Sequence, residues 1–104
     1  MQEELFLMSM METGEEQQAM DCQRIKSCYP KPALKYVPRI EQECDKMEYE
    51  GSPMYADILD RESIFRIARR MADNEKDVDL LTVLLCQEMY VRRCRKANRC
   101  RMFR

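Results

Sequence analysis

The hydrophobic pattern is strongest in the segment DVDLLTVLLCQEMYVRRC, residues 77–94. When its residues are placed at 100° intervals, the apolar side chains from Val78 to Val91 leave little of the helix circumference polar. A helix that is apolar on nearly all sides is normally buried. Acidic residues at its start and arginines at its end also suit the helix dipole. The pattern therefore predicts a long buried helix over about residues 77–97.

Two shorter amphipathic patterns precede this helix. Pro38 suits the first turn of a helix, where its missing N–H is not needed, and the pattern that follows it predicts a helix over about 38–50. Asp60 is a good N-cap and opens a second pattern over about 61–73. The two apolar stripes are Val37, Ile40, Cys44 and Met47, and Ile64, Ile67, Ala68 and Met71. The predicted fold class is all-α, a small bundle of three core helices.

The chain before these helices is more polar and divides the protein into two predicted parts. Residues 1–30 form a helical N-terminal segment that we expect to be weakly ordered or docked on the bundle, because their polar stretch holds few apolar residues. The helical domain is predicted to span residues 31–104. Prolines punctuate its start, so the segment from Tyr29 to Val37 is predicted to be an extended linker.

Covering the long helix completely requires more than two neighbouring helices. Either the N-terminal segment or a second copy of the protein is needed, so we expect a homo-oligomer, most simply a dimer, or another protein partner. The predicted interaction surface on this helix is Leu80, Leu84, Tyr90 and Val91. The loop before residue 61 also carries four large apolar residues and is expected to lie against the bundle. These residues are Met54, Tyr55, Ile58 and Leu59.

The composition argues against an active site. The chain contains no histidine, which excludes the Ser-His-Asp and Cys-His arrangements and every metal site that needs a histidine. Its two glycines stand alone, so no glycine-rich phosphate loop is present. We predict no catalytic residue, no bound cofactor and a non-enzymatic protein.

Six cysteines raise the question of metal binding. The N-terminus has neither the charge nor the apolar run of a secretory signal, which predicts a cytoplasmic protein whose cysteines are mostly thiols. Cys22 and Cys28 are six residues apart, as are Cys94 and Cys100, so these four are weak candidates for a zinc site. Cys44 and Cys86 lie on apolar stripes and are predicted to be core residues.

The charges are separated along the chain. Residues 1–16 hold five glutamates and no basic residue, whereas residues 92–104 hold seven basic residues and no acidic one. This basic tail could contact nucleic acid phosphates, although solvated charge is the commoner role. Glu88 is predicted to form a salt bridge, either with Arg92, four residues further along the helix, or with an arginine of the second helix. No run is long enough to cross a membrane. The tail residues are Arg92, Arg93, Arg95, Lys96, Arg99, Arg101 and Arg104.

Three segments carry a resemblance, namely IEQECDKMEYEGSPMY, LDRESI and LLTVLLCQEMYVRRCRKANRC. Over about residues 38–100 the chain resembles a group of short uncharacterised proteins of spore-forming clostridia, in which a CD-x-MEYEGS segment precedes two helices and an Arg- and Cys-containing end. The resemblance implies a bacterial cytoplasmic or spore-associated setting and no particular activity. The chain departs from the group at residues 56–59, where the group has an acidic, proline-containing stretch.

Taken together, these patterns predict a non-enzymatic module for protein–protein interaction or structure. Two alternatives remain open at this point. One is an accessory protein that binds nucleic acid through the basic C-terminus, and the other is a small module built around a structural zinc ion.

Overall fold

The computed structural model describes residues 14 and 16–102, with side chains described as far as residue 97. The chain divides into two compact units, Met1–Pro30 and Lys31–Arg104. The first unit contains helix α1, residues 16–26. The second contains α2 (Lys31–Leu34), α3 (Val37–Lys46), α4 (Arg61–Met71) and α5 (Val78–Met102), with 3₁₀ turns at Pro53–Tyr55 and Glu75–Asp77. The described residues contain no β-strand.

The predicted all-α bundle with three core helices is confirmed. Helix α5 packs against both α3 and α4, and the three apolar stripes meet in one core. Tyr36, Cys44, Met54, Ala68, Leu81 and Leu85 are fully buried there. Asp60 caps α4 as predicted, because its carboxylate accepts a hydrogen bond from the backbone N–H of Glu62.

Helix α3 ends at Lys46, earlier than the predicted residue 50. A turn follows in which the backbone N–H of Ser52 donates to the carbonyl of Tyr49 over 3.2 Å. Gly51 occupies the third position of this turn with φ 85°, the value that a type II turn requires there. Helix α4 ends at Met71 rather than residue 73, and α5 continues to Met102 rather than stopping near residue 97.

The predicted extended linker from Tyr29 to Val37 is wrong. Pro32 is the second residue of α2, a position in the first helical turn where its missing N–H costs nothing. Tyr36 is fully buried, and its hydroxyl donates to Asp77 Oδ2 over 2.5 Å and accepts from the backbone N–H of Asp73 over 3.1 Å. A buried tyrosine with both hydrogen bonds satisfied fixes this segment against the loop before α5.

The long helix is buried on one face instead of all round. Leu81, Leu85 and Met89 are at most 2% exposed, whereas Val83 is 66% and Tyr90 63% exposed. The reason is that α3 and α4 both contact α5 from one side. Cys86 was predicted to be a core residue and is exposed.

The loop before α4 also has both buried and exposed apolar residues. Met54 is fully buried and Tyr55 packs against the core, as predicted. Ile58 is 89% exposed and does not lie against the bundle, whereas Leu59 is 43% exposed.

Candidate interaction surface

An open groove runs between the start of α4 and the first half of α5. Its floor and walls are mostly apolar, and three charged residues stand among them. We call it the α4/α5 groove. Its lining residues are Leu59, Arg61, Glu62, Ile64, Phe65, Asp79, Thr82, Val83 and Cys86.

Asp60 positions the α4 side of the groove. Its Oδ1 accepts from the Glu62 N–H over 3.1 Å, and its Oδ2 accepts from the Ser63 hydroxyl over 2.7 Å. The hydrogen bond from Ser63, together with the backbone N–H groups, lowers the pKa of Asp60 from its ordinary value, so the cap stays charged. On the next turn the guanidinium of Arg69 lies 5.2 Å from the centre of the Phe65 ring. The start of α4 is therefore fixed while its apolar side chains face the groove.

The α5 side of the groove continues into an exposed stripe. Val83, Cys86 and Tyr90 are spaced three and four residues apart, so they lie on one face of the helix. All three are exposed. A hydrogen bond with Cys94, one turn further on, raises the pKa of the Tyr90 hydroxyl. We call Val83, Cys86 and Tyr90 the α5 stripe.

The residues predicted as an interaction surface do not share one environment. Leu80, Leu84 and Val91 are half-buried, and Leu84 packs against the core, whereas Tyr90 is exposed. Val83 was not among the interaction residues predicted from the sequence, and it is the most exposed large apolar residue among the described side chains of α5. The 3.6-residue period groups it with Tyr90, but choosing this face requires knowing from which side α3 and α4 approach.

Arg92, predicted as the first residue of a basic tail, is buried among carboxylates. Its Nε donates to Glu88 Oε2 over 2.9 Å, which confirms the predicted pair, and its Nη1 donates to Asp45 Oδ1 over 2.7 Å and Glu48 Oε1 over 3.2 Å. Burial alone would lower the pKa of Arg92, but the hydrogen bonds to Asp45 and Glu88 raise it above its ordinary value. The guanidinium is therefore a permanent internal charge.

Arg93 is also used internally. Its Nη1 donates to the carbonyls of Met54, over 2.9 Å, and Ala56, over 2.7 Å, on either side of the end of the 3₁₀ turn. Lys96 lies 4.0 Å from the centre of the Tyr55 ring. Arg95 and Lys96 line a second depression together with Tyr49. The side chains of Arg99, Arg101 and Arg104 lie outside the described residues.

The described cysteine side chains are all free thiols, at Cys22, Cys28, Cys44, Cys86 and Cys94. Among the side chains that the structure describes, no group of three or more cysteine, aspartate or glutamate residues could hold a metal ion. Burial raises the pKa of Cys44 to about 12, so this thiol stays protonated within the core, as predicted for a core cysteine. Cys100, the fourth candidate for zinc, lies outside the described side chains.

Within the described part of the chain, no helix is both long enough and apolar enough to span a lipid bilayer. No protein-family model, curated protein or solved structure matches the chain. The resemblance to the clostridial group therefore stays a prediction.

Proposed function

We propose that this protein is a non-enzymatic protein–protein interaction module that binds through the α4/α5 groove and the α5 stripe. The observation that supports the proposal most strongly is the difference in burial between the two faces of α5. Leu81 and Leu85 are fully buried on one face, while Val83 and Tyr90 are about two-thirds exposed on the other. Scattered apolar residues are ordinary on protein surfaces, whereas adjoining ones that form a groove are typical of binding surfaces.

The chemistry of the groove defines the class of partner. Leu59, Phe65 and Val83 offer an apolar floor, and Arg61 and Glu62 supply polar groups among them. Interfaces between proteins commonly combine such an apolar centre with a polar rim. A partner that fits would present an exposed apolar helix or an aromatic anchor. Tyrosine is a frequent anchor residue at protein interfaces, and this chain itself exposes such a residue, Tyr90, beside the groove.

Two observations weigh against the alternatives. Arg92 and Arg93 contact internal carboxylates and carbonyls, so two of the seven basic residues are not available to phosphates. Among the described side chains, no group of three or more cysteine, aspartate or glutamate residues could hold a metal ion, so the zinc alternative gains no support from them. A cytoplasmic or spore-associated setting remains part of the proposal through the resemblance alone.

A photocrosslinking amino acid at position 83 tests the proposal directly. We expect irradiation in cells to yield a discrete protein adduct from position 83. The matched control carries the same group at position 46, because the Lys46 side chain is 72% exposed and lies outside the groove. Equal labelling from both positions, or no adduct from position 83, would contradict the proposal.

A further inference from the structure

We infer that the occupant of the α4/α5 groove is helix α5 of a second copy of this chain, packed antiparallel around a two-fold axis that passes between Cys86 and Gln87. This inference rests on the proposed function and names its partner. Each groove would receive Tyr90 of the other copy. The arrangement is isologous, so both copies use the same surface.

The spacing of the stripe supports this arrangement. Val83 and Tyr90 lie at equal distances on either side of the point between Cys86 and Gln87, each about 5 Å along the helix axis. In an antiparallel pair centred there, Val83 of one copy faces Tyr90 of the other. Since Val83 lines the groove and Tyr90 lies beyond its end, the pairing fills an empty apolar groove with an exposed aromatic side chain.

The charges of α5 select the antiparallel direction. Residues 73–79 hold four acidic residues and one basic residue, Lys76, whereas residues 95–101 hold four basic residues and no acidic one. Asp73, Glu75 and Asp77 already pair with basic residues of their own chain, so Asp79 in the first turn of α5 is the acidic residue that would face the basic end of the second copy. An antiparallel pair places the acidic end of each helix beside the basic end of the other, and it also opposes the helix dipoles. A parallel pair would bring like charges together along the same length.

The available area predicts a weak dimer. The exposed face from Asp79 to Ala97 is about 27 Å long at the rise of an α-helix. At a helix width of about 10 Å this face offers roughly 270 Å². Even with the start of α4, we expect the contact to be smaller than the roughly 800 Å² per partner of a standard interface. We therefore expect a dissociation constant in about the micromolar range, and a mass that depends on concentration.

The first test compares two tyrosines that are similarly exposed. Tyr90 is 63% exposed on the stripe, and Tyr49 is 56% exposed in the second depression. Light scattering in the presence of reductant should show a reversible dimer for the wild type and for Tyr49→Glu. Tyr90→Glu should raise the dissociation constant by about 30-fold or more, the size of effect typical of an anchor residue. A wild type that remains monomeric at high concentration, or two variants that behave alike, would overturn the inference.

The second test determines direction by disulfide trapping. In an antiparallel pair Asp79 faces Cys94 of the other copy, whereas the two Asp79 positions are about 22 Å apart. One chain carries Asp79→Cys, and every other cysteine in it except the buried Cys44 is replaced by serine. The second chain keeps only Cys44 and Cys94. Copper phenanthroline with dioxygen is the oxidant and accepts the two electrons and two protons released as each disulfide forms. The mixed disulfide should predominate, and a predominant Asp79→Cys homodimer would refute the antiparallel arrangement.

These tests separate the inference from the proposed function. If photocrosslinks from position 83 lead to a different protein and the purified chain is monomeric, the dimer is wrong and the interaction module stands. If crosslinks lead to a second copy, both are supported. If position 83 yields no adduct and the chain is monomeric, both fail.

Discussion

Arg92 is held by three carboxylates that differ in their exposure to water. The side chain of Glu88 is 6% exposed, whereas those of Asp45 and Glu48 are 69% and 39% exposed. Water can solvate the latter two if the guanidinium is removed. Glu88 has little such access, so removal of the guanidinium is most costly at this carboxylate.

We expect Arg92→Ala to lower the free energy of unfolding by about 3–5 kcal/mol, because it removes the guanidinium that pairs with the buried Glu88 carboxylate. The double variant Glu88→Leu, Arg92→Leu should be less destabilised than Arg92→Ala, since neither buried charge remains. Urea unfolding at neutral pH measures all three proteins. If the double variant proves as unstable as Arg92→Ala, the packing of the arginine stem rather than its charge stabilises this site.

Tyr36 controls the ionisation of Asp77. Its hydrogen bond is the largest cause that lowers the pKa of Asp77 from the ordinary 3.8. A lowered pKa in the folded state stabilises the protein above pH 3.8, and this contribution is lost as the pH falls through the folded value. We expect Tyr36→Phe to move the pKa of Asp77 upward, as measured by NMR titration of the carboxyl carbon. Tyr49→Phe is the control and should leave the pKa of Asp77 unchanged.

The sequence predicts some of these residue contacts. Glu88 and Arg92 are four residues apart on one helix, so local geometry predicts their pairing. The contacts of Arg92 with Asp45 and Glu48 join residues 47 and 44 positions apart. They depend on how α3 and α5 cross, which helical periodicity does not specify.

At the scale of elements, the turn after α3 depends on a glycine. A Cβ at Gly51 would meet no atom within 4 Å, so space does not explain the residue. Its φ of 85° lies in the left-handed region, where residues with a side chain are strained.

We expect Gly51→Ala to lower the free energy of unfolding by about 1–2 kcal/mol through backbone strain alone. Gly14→Ala is the matched control, because a Cβ at Gly14 also meets nothing and its φ is not positive. That control should be neutral or slightly stabilising. Thermal unfolding compares the two, and equal effects would mean that the turn adapts to alanine.

The helices could be predicted because their apolar residues recur with a clear period and their starts carry Pro38 and Asp60. The helix Lys31–Leu34 could not, because it is a single turn and its prolines match an extended segment equally well. The sequence around Tyr36 does not indicate that it is buried, because its two hydrogen-bond partners, Asp73 and Asp77, lie near α5. Contacts of this kind appear only once the elements are assembled.

At the scale of the whole molecule, the buried apolar residues that the structure describes all belong to the second unit. Among the described residues, the first buried hydrophobic side chain in chain order is Ala33. We expect a chain that lacks residues 1–30 to unfold cooperatively, with nearly the same urea midpoint as the full chain. Circular dichroism measures both. A broad transition or a large drop in the midpoint would show that the first unit stabilises the core.

The candidate site was harder to predict than the fold. The apolar character of α5 is evident in its sequence, but whether Val83 or Leu81 faces water depends on the side from which α3 and α4 approach. Leu59 and Phe65 reach the same groove from another part of the chain. A binding surface made from two elements therefore leaves no local pattern.

The separation of these contacts along the chain has a consequence for the order of folding. Helices α4 and α5 are joined by the short segment 72–77, whereas α3 reaches Arg92 across more than forty residues. Closing a short loop loses less entropy, so we expect the α4–α5 hairpin to form first and α3 to dock afterwards. Arg92→Ala should then accelerate unfolding more than it slows refolding in stopped-flow experiments. Arg92 would thus act mainly by slowing the detachment of α3 from α5 during unfolding.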